Sequence, residues 1–94
     1  MTEPTIPMGV TFGSLGVLGP RAIVDISQKA SALGYRSIWT VEANGTDAFT
    51  LLAAASVNQP KLGLGTGIVP IQLRTPSLTA MTAASLQALS PEAD

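Results

Sequence analysis

The strongest constraint on the fold of this chain is a regular alternation of strand-like and helix-like segments. Short segments rich in β-branched residues and glycine begin near Gly9, Arg36 and Lys61, at nearly equal spacing. A segment with helical character follows each of them, and glycine, proline or asparagine separates the segments. Such alternation is typical of parallel strands joined by right-handed helical crossovers. The sequence therefore predicts an α/β fold with three consecutive βα units.

Residues with known capping preferences mark the ends of the predicted helices. Gly34 stands where a residue in the left-handed conformation would end the first helix. Thr46 is predicted to cap the start of the second helix, with Asp47 in the first turn. Thr75 is predicted to cap the third helix, because Pro76 follows it at the first helical position.

Composition and charge exclude several classes of function. The 94-residue chain is 46% hydrophobic and 12% charged, with a net charge of −1, which fits neither a disordered chain nor a nucleic-acid-binding protein. It has no cysteine and no histidine, so thiolate nucleophiles, histidine bases and most metal sites are excluded. The longest small-apolar run, Leu51–Val57, is too short to span a membrane, and the N-terminus lacks a secretory signal. We therefore expect a cytoplasmic protein without nucleic-acid or membrane partners.

Three glycines at alternate positions, Gly63, Gly65 and Gly67, lie in the third strand segment. They do not match the dinucleotide-binding fingerprint, because the sixth position counted from Gly63 is Ile68 and that counted from Gly65 is Pro70. The alternation instead leaves one face of an extended strand without side chains. A bare face admits a ligand or another backbone, or it relieves crowding inside a barrel. The residues alone leave both interpretations open.

Two segments resemble the N-terminal part of the luciferase-like monooxygenase superfamily, and within it the coenzyme F-420-dependent oxidoreductases. They are GYRSIWTVEANGTDAFTLLAA (Gly34–Ala54) and Lys61–Pro91, which contains LGTGI, RTP and ALSP. The resemblance implies a TIM barrel that binds coenzyme F-420, or alternatively FMN, at the C-terminal ends of its strands. Residues 1–94 are then a single partial domain, the first three βα units of an incomplete (β/α)8 barrel, since a complete barrel takes ~250 residues.

The resemblance also implies roles for individual residues. In the F-420-dependent relatives a non-proline cis peptide after a glycine backs the deazaflavin ring, and it matches Gly67–Ile68 here. We expect this peptide to be cis, or at least to lie in an irregular kink, because such strain persists mainly at functional sites. Glu42 matches an acidic residue at the end of the second strand and is the candidate catalytic residue, expected to share a cavity with Gly67–Ile68. The histidine that follows this acid in several members is replaced by Ala43. Two further candidate cofactor contacts are Thr66 and Asn44.

Two other conspicuous side chains have structural interpretations. Arg74 is predicted to anchor the turn at Thr75 and Pro76 in preference to binding a carboxylate. Trp39 is predicted to pack in the core, as large aromatic residues in strands usually do.

The function implied by the resemblance is hydride transfer between coenzyme F-420 and a small organic substrate, with the cofactor carrying the hydride chemistry. One alternative is an FMN-dependent monooxygenase that uses molecular oxygen. Another is a non-catalytic remnant or assembly subunit of such a barrel. A doubly wound nucleotide-binding module is a third, which the unmatched glycine fingerprint argues against. Since three parallel strands leave both sheet edges unpaired, the chain alone is expected to self-associate or to be partly unfolded. It is also expected to bind F-420 or FMN weakly at best and to be inactive.

Overall fold

A computed structural model of the chain describes residues 6–42 and 45–93. Three strands form one sheet: β1 (Gly9–Thr11), β2 (Ser37–Val41) and β3 (Gly63–Ile68). Their order is β1-β2-β3, and both neighbouring pairs are parallel. The predicted parallel α/β arrangement is therefore confirmed, as an open three-stranded sheet.

A helix follows each strand: α1 (Ala22–Ala32), α2 (Ala48–Asn58) and α3 (Pro76–Leu89). Two short 3-10 helices, Ser14–Leu18 and Ile71–Leu73, lie in the loops after β1 and β3. None of the helices in the described ranges is long and apolar enough to cross a membrane.

The helix ends follow the predicted capping residues with one correction. Gly34, just after α1, has a φ of 91°, the left-handed conformation that glycine adopts without strain. Thr75 caps α3, since its hydroxyl accepts a hydrogen bond from the amide of Leu78 at 3.1 Å. The prediction that Thr46 caps α2 is wrong. Asp47 takes that position, because its extended backbone directs the carboxylate to the amide of Thr50 at 2.8 Å.

The hydrophobic core lies between the sheet and the helices. Ile38 on β2 is fully buried and packs with residues from α1, α2 and α3. Polar side chains connect the helices around it: the Asn58 side-chain amide donates to the carbonyl of Val24, and the Ser90 hydroxyl donates to the carbonyl of Ser56. The other members of the core cluster are Phe12, Ile23, Leu51, Leu52, Ala55, Leu62 and Leu86.

The opposite face of the sheet carries Trp39, which is 42% exposed. Its indole lies across the sheet between two glycines: a Cβ built at Gly65 would lie 2.5 Å from Cε3 of the ring, and one at Gly9 would lie 2.6 Å from Nε1. The ring nitrogen donates to Ser37 Oγ at 2.9 Å. The prediction that Trp39 packs in the core is therefore wrong, because strand alternation places it on the face away from Ile38. At Gly65 the absent side chain makes room for this indole.

Candidate functional site

The C-terminal end of β3 contains a β-bulge. Thr40 pairs with Thr66 and Val41 pairs with Ile68, so Gly67 is an extra residue without a partner on β2. The bulge is closed by the amide of Glu42, which donates to the carbonyl of Ile68 at 2.9 Å. Bulges of this kind bend a strand and are frequent beside active sites.

Glycine suits the bulged position for a steric reason. A Cβ at Gly67 would lie 3.1 Å from Cγ1 of Val41, which is tighter than an ordinary contact. Both Gly67 and Ile68 are exposed, and the side chain of Ile68 is 60% accessible to solvent. The end of β3 therefore presents bare backbone next to an exposed apolar side chain.

The predicted cis peptide at Gly67–Ile68 is wrong, since this peptide is trans. The kink that was expected in its place is present as the bulge. The extra residue in the strand redirects the backbone without isomerisation of the peptide bond.

Glu42 follows β2 and is only 8% exposed. Its Oε1 accepts a hydrogen bond from the amide of Ala48 at 3.0 Å and another from Nη2 of Arg74 at 3.0 Å. Because Ala48 is the first residue of α2, the carboxylate lies at a helix N-terminus, where the helix dipole favours a negative charge. The Glu42 backbone thus adjoins the bulge, while its carboxylate is directed to α2 and Arg74.

Arg74 forms the centre of a charged cluster that the sequence interpretation missed. Besides Glu42, its Nη2 contacts Oδ1 of Asp47, and its Cζ lies 4.6 Å from the centre of the Phe49 ring. The side chain is 12% exposed, and its Nε is buried without a hydrogen-bond partner among the described residues. The prediction that the Arg74 side chain binds the turn at Thr75 and Pro76 in preference to a carboxylate is wrong, because the β3–α3 loop brings the guanidinium to Glu42 and Asp47.

The cluster shifts the pKa values of two of its members. The hydrogen bond to Glu42 raises the pKa of Arg74 above its ordinary value, and the charges of Asp47 and Glu42 act in the same direction. For Asp47, burial acts to raise the pKa, but hydrogen bonds from Thr50 and the charge of Arg74 outweigh it. The pKa of Asp47 is therefore lowered from its ordinary value of 3.8.

Of the two remaining candidate residues, the structure describes Thr66. Thr66 is half-buried and pairs with Thr40, whose hydroxyl donates to the carbonyl of Ala48 on the helix-covered face. Thr66 instead lines a groove of about 290 Å³ between β3, α2 and α3, together with Leu64. Asn44 lies outside the described residues.

Sequence comparisons agree with this architecture. Residues 6–92 match the luciferase-like monooxygenase family. The chain is also similar to a Mycobacterium tuberculosis protein named "Putative coenzyme F420-dependent oxidoreductase", with 32% identity over 88 residues. That alignment covers 94% of this chain and 25% of the relative, so the chain spans a quarter of the length of the curated relative it matches. No solved structure shows a significant match. Because the family match extends over nearly all of its residues, the chain belongs to the luciferase-like monooxygenase family.

Proposed function

We propose that this chain contributes part of the active site of an oxidoreductase that transfers hydride between coenzyme F-420 and a small organic substrate. The observation that carries the proposal is the bulge at Gly67, which exposes backbone at the C-terminal end of a parallel strand. Active sites of parallel α/β folds assemble at this end of the sheet. The family and the name of the relative support a redox function with this cofactor.

The residues at the end of β3 fit a planar aromatic ring system. Gly67 lacks a side chain, and Ile68 and Val41 border it with apolar surface. Trp39 fills the space beside Gly65, so we assign the ring contact to the bulge and not to the whole glycine face. A deazaflavin or flavin bound there would supply the hydride chemistry, for which the chain has no side chain of its own.

We assign to Glu42 the exchange of a proton with the substrate or the cofactor. The hydrogen bond from its backbone amide to the Ile68 carbonyl supports this assignment, because it joins Glu42 to the end of the strand that carries the proposed ring contact. The amide of Ala48 and the guanidinium of Arg74 both orient its carboxylate. A general acid or base needs such a fixed geometry within hydrogen-bond reach of the reacting atom.

The complete enzyme is, in this proposal, a TIM barrel whose first three βα units are formed by residues 6–92. The parallel order β1-β2-β3 supports this, since consecutive barrel strands are neighbours in the sheet. The FMN-dependent monooxygenase is the second candidate, because the description of the family favours it.

Amide-resolved NMR on the 94-residue chain, titrated separately with coenzyme F-420 and FMN, tests the proposal. We expect weak binding that shifts the amide resonances of Gly67, Ile68 and Glu42 first, and more strongly with F-420. A Gly67→Val variant should lose these shifts, whereas Gly16→Ala, at a position where a Cβ meets nothing within 4 Å, should keep them. Stronger shifts with FMN would favour the monooxygenase. An absence of shifts at the bulge with both cofactors would overturn the proposal.

A further inference from the structure

We propose that Arg74 is a positioning residue that fixes the bulge at Gly67 by fastening the β3–α3 loop to the end of β2. The inference rests on the proposed function, because the bulge is the proposed contact for the cofactor ring. Arg74 itself is not part of the proposed ring contact at Gly67 and Ile68.

The β3–α3 loop, residues 69–75, is held mainly at its two ends. Its middle is the 3-10 helix Ile71–Leu73, in which Ile71 is 82% and Leu73 is 66% exposed. Exposed side chains contribute little burial energy, so packing against the body of the protein does not hold this part of the loop in place. The contacts at the ends of the loop must do so.

Glu42 binds both ends of this loop. Its backbone amide donates to the carbonyl of Ile68, just before the loop, at 2.9 Å. Its carboxylate accepts from Arg74, near the end of the loop, at 3.0 Å. One residue at the end of β2 thus holds both ends of the loop, and loss of the Arg74 contact leaves Glu42 bound to the loop region only through the hydrogen bond from its amide to Ile68.

The guanidinium has features that a simple positive charge lacks. Arg74 reaches Glu42 and Asp47 together and lies over the ring of Phe49. One nitrogen, Nη2, makes both carboxylate contacts, while the flat face of the guanidinium lies over the Phe49 ring. A lysine ammonium could keep contacts with the carboxylates but lacks a planar group to stack on the ring. The cluster therefore connects the end of β2, the start of α2 and the β3–α3 loop through one side chain.

Hydrogen exchange on the 94-residue chain tests this role at two amides of the same strand pair. The Glu42 amide, bonded to Ile68, reports on the bulge, and the Gly63 amide, bonded to the Arg36 carbonyl at 2.8 Å, reports on the opposite end of β3. In Arg74→Met we expect protection of the Glu42 amide to fall about tenfold more than that of Gly63, as loss of one charge-assisted hydrogen bond implies. Arg74→Lys should restore part of the difference.

Equal loss of protection at both amides, or no loss at either, would overturn the positioning role. Arg74 would also be assigned to structure alone if Arg74→Lys restored no protection and global stability fell by as much as the protection of the Glu42 amide. The two proposals fail in distinguishable ways. If Arg74→Met loosens the bulge while F-420 and FMN leave the amides of the unaltered chain unshifted, the positioning role holds and the proposed function fails.

Discussion

At the scale of single residues, the alternate glycines of β3 serve different physical purposes. Gly65 has no side chain because the indole of Trp39 occupies the space where one would stand. At Gly67, in the bulge, a Cβ would lie 3.1 Å from Cγ1 of Val41. The sequence pattern showed a bare strand face, but it could not assign the space to Trp39, since a contact between neighbouring strands depends on register.

We predict that Gly65→Ala destabilises the fold by about 1–3 kcal/mol, the usual cost of overpacking. The new methyl group would meet three atoms of the rigid Trp39 ring at 2.5–2.7 Å, so the ring or the strand must move. The free energy of unfolding from urea titration measures the effect. Gly16→Ala is the matched control, because a Cβ at that position meets nothing within 4 Å.

The double variant Gly65→Ala with Trp39→Ala gives a sharper form of this test. If the clash with the indole causes the loss, removal of the indole should make the alanine at position 65 nearly neutral relative to Trp39→Ala. Additive losses would show that Gly65 is needed for another reason.

We predict that Glu42→Gln, in a full-length relative that binds the cofactor, lowers turnover more than it lowers stability. Glutamine keeps an oxygen that can accept from the amide of Ala48, but it cannot exchange a proton. Steady-state kinetics and urea unfolding of the same variant give the two quantities. Parallel losses in both would assign Glu42 to the Arg74 cluster and not to catalysis.

At the scale of elements, local signals in the sequence predicted most of the fold. The three strand–helix units and the caps at Gly34 and Thr75 follow from residue type and spacing, and the structure has them. The contacts that could not be predicted depend on the path of the loop between β3 and α3. Arg74 meets Glu42 and Asp47 because a loop folds back over the sheet edge, and no local pattern encodes that path.

The N-cap of α2 should make stability depend on pH in the acid range. The pKa of Asp47 in the folded chain lies below its ordinary value of 3.8, so the folded state binds fewer protons there than the unfolded state. The stabilisation is therefore complete above pH 3.8 and is lost as the pH falls through the lower, folded-state pKa. Unfolding titrations at a series of acid pH values measure it.

Asp47→Asn separates this titration from the cap itself. Asparagine also caps helices well, so the variant should keep most of the cap while losing the acid-dependent part of the stability. Asp47→Ala should lose the cap as well, at a cost of about 1 kcal/mol. An unchanged acid dependence in Asp47→Asn would show that another carboxylate is responsible.

At the scale of the whole molecule, the resemblance supplied what local patterns could not. The prediction that Glu42 and Gly67–Ile68 share a cavity came only from the family, because parallel strands bring together residues far apart in sequence. Their backbones meet in the structure, and the shared cavity stays a prediction. The peptide geometry and the role of Arg74 differed from expectation, since both depend on how a loop and a strand end accommodate each other.

We predict that the 94-residue chain by itself self-associates. Within the described residues β1 and β3 each pair on one side only, which leaves backbone groups on two sheet edges free to pair with another chain. Many large apolar side chains are also exposed, and an apolar surface of this extent favours association. They include Val17, Leu33, Trp39, Ile68, Ile71, Leu73 and Met81.

Size-exclusion chromatography with light scattering, over a range of protein concentrations, measures this association. A charge on an edge strand opposes edge-to-edge pairing, so Ile68→Lys should shift the population toward monomer. Leu33→Lys is the control, because Leu33 is also apolar and exposed but is the C-cap of α1 and does not belong to a strand edge. If the two variants shift the population equally, general hydrophobic contact drives association, and the strand edges are not its cause. A concentration-independent monomer that binds F-420 or FMN at micromolar or tighter affinity would contradict the prediction entirely.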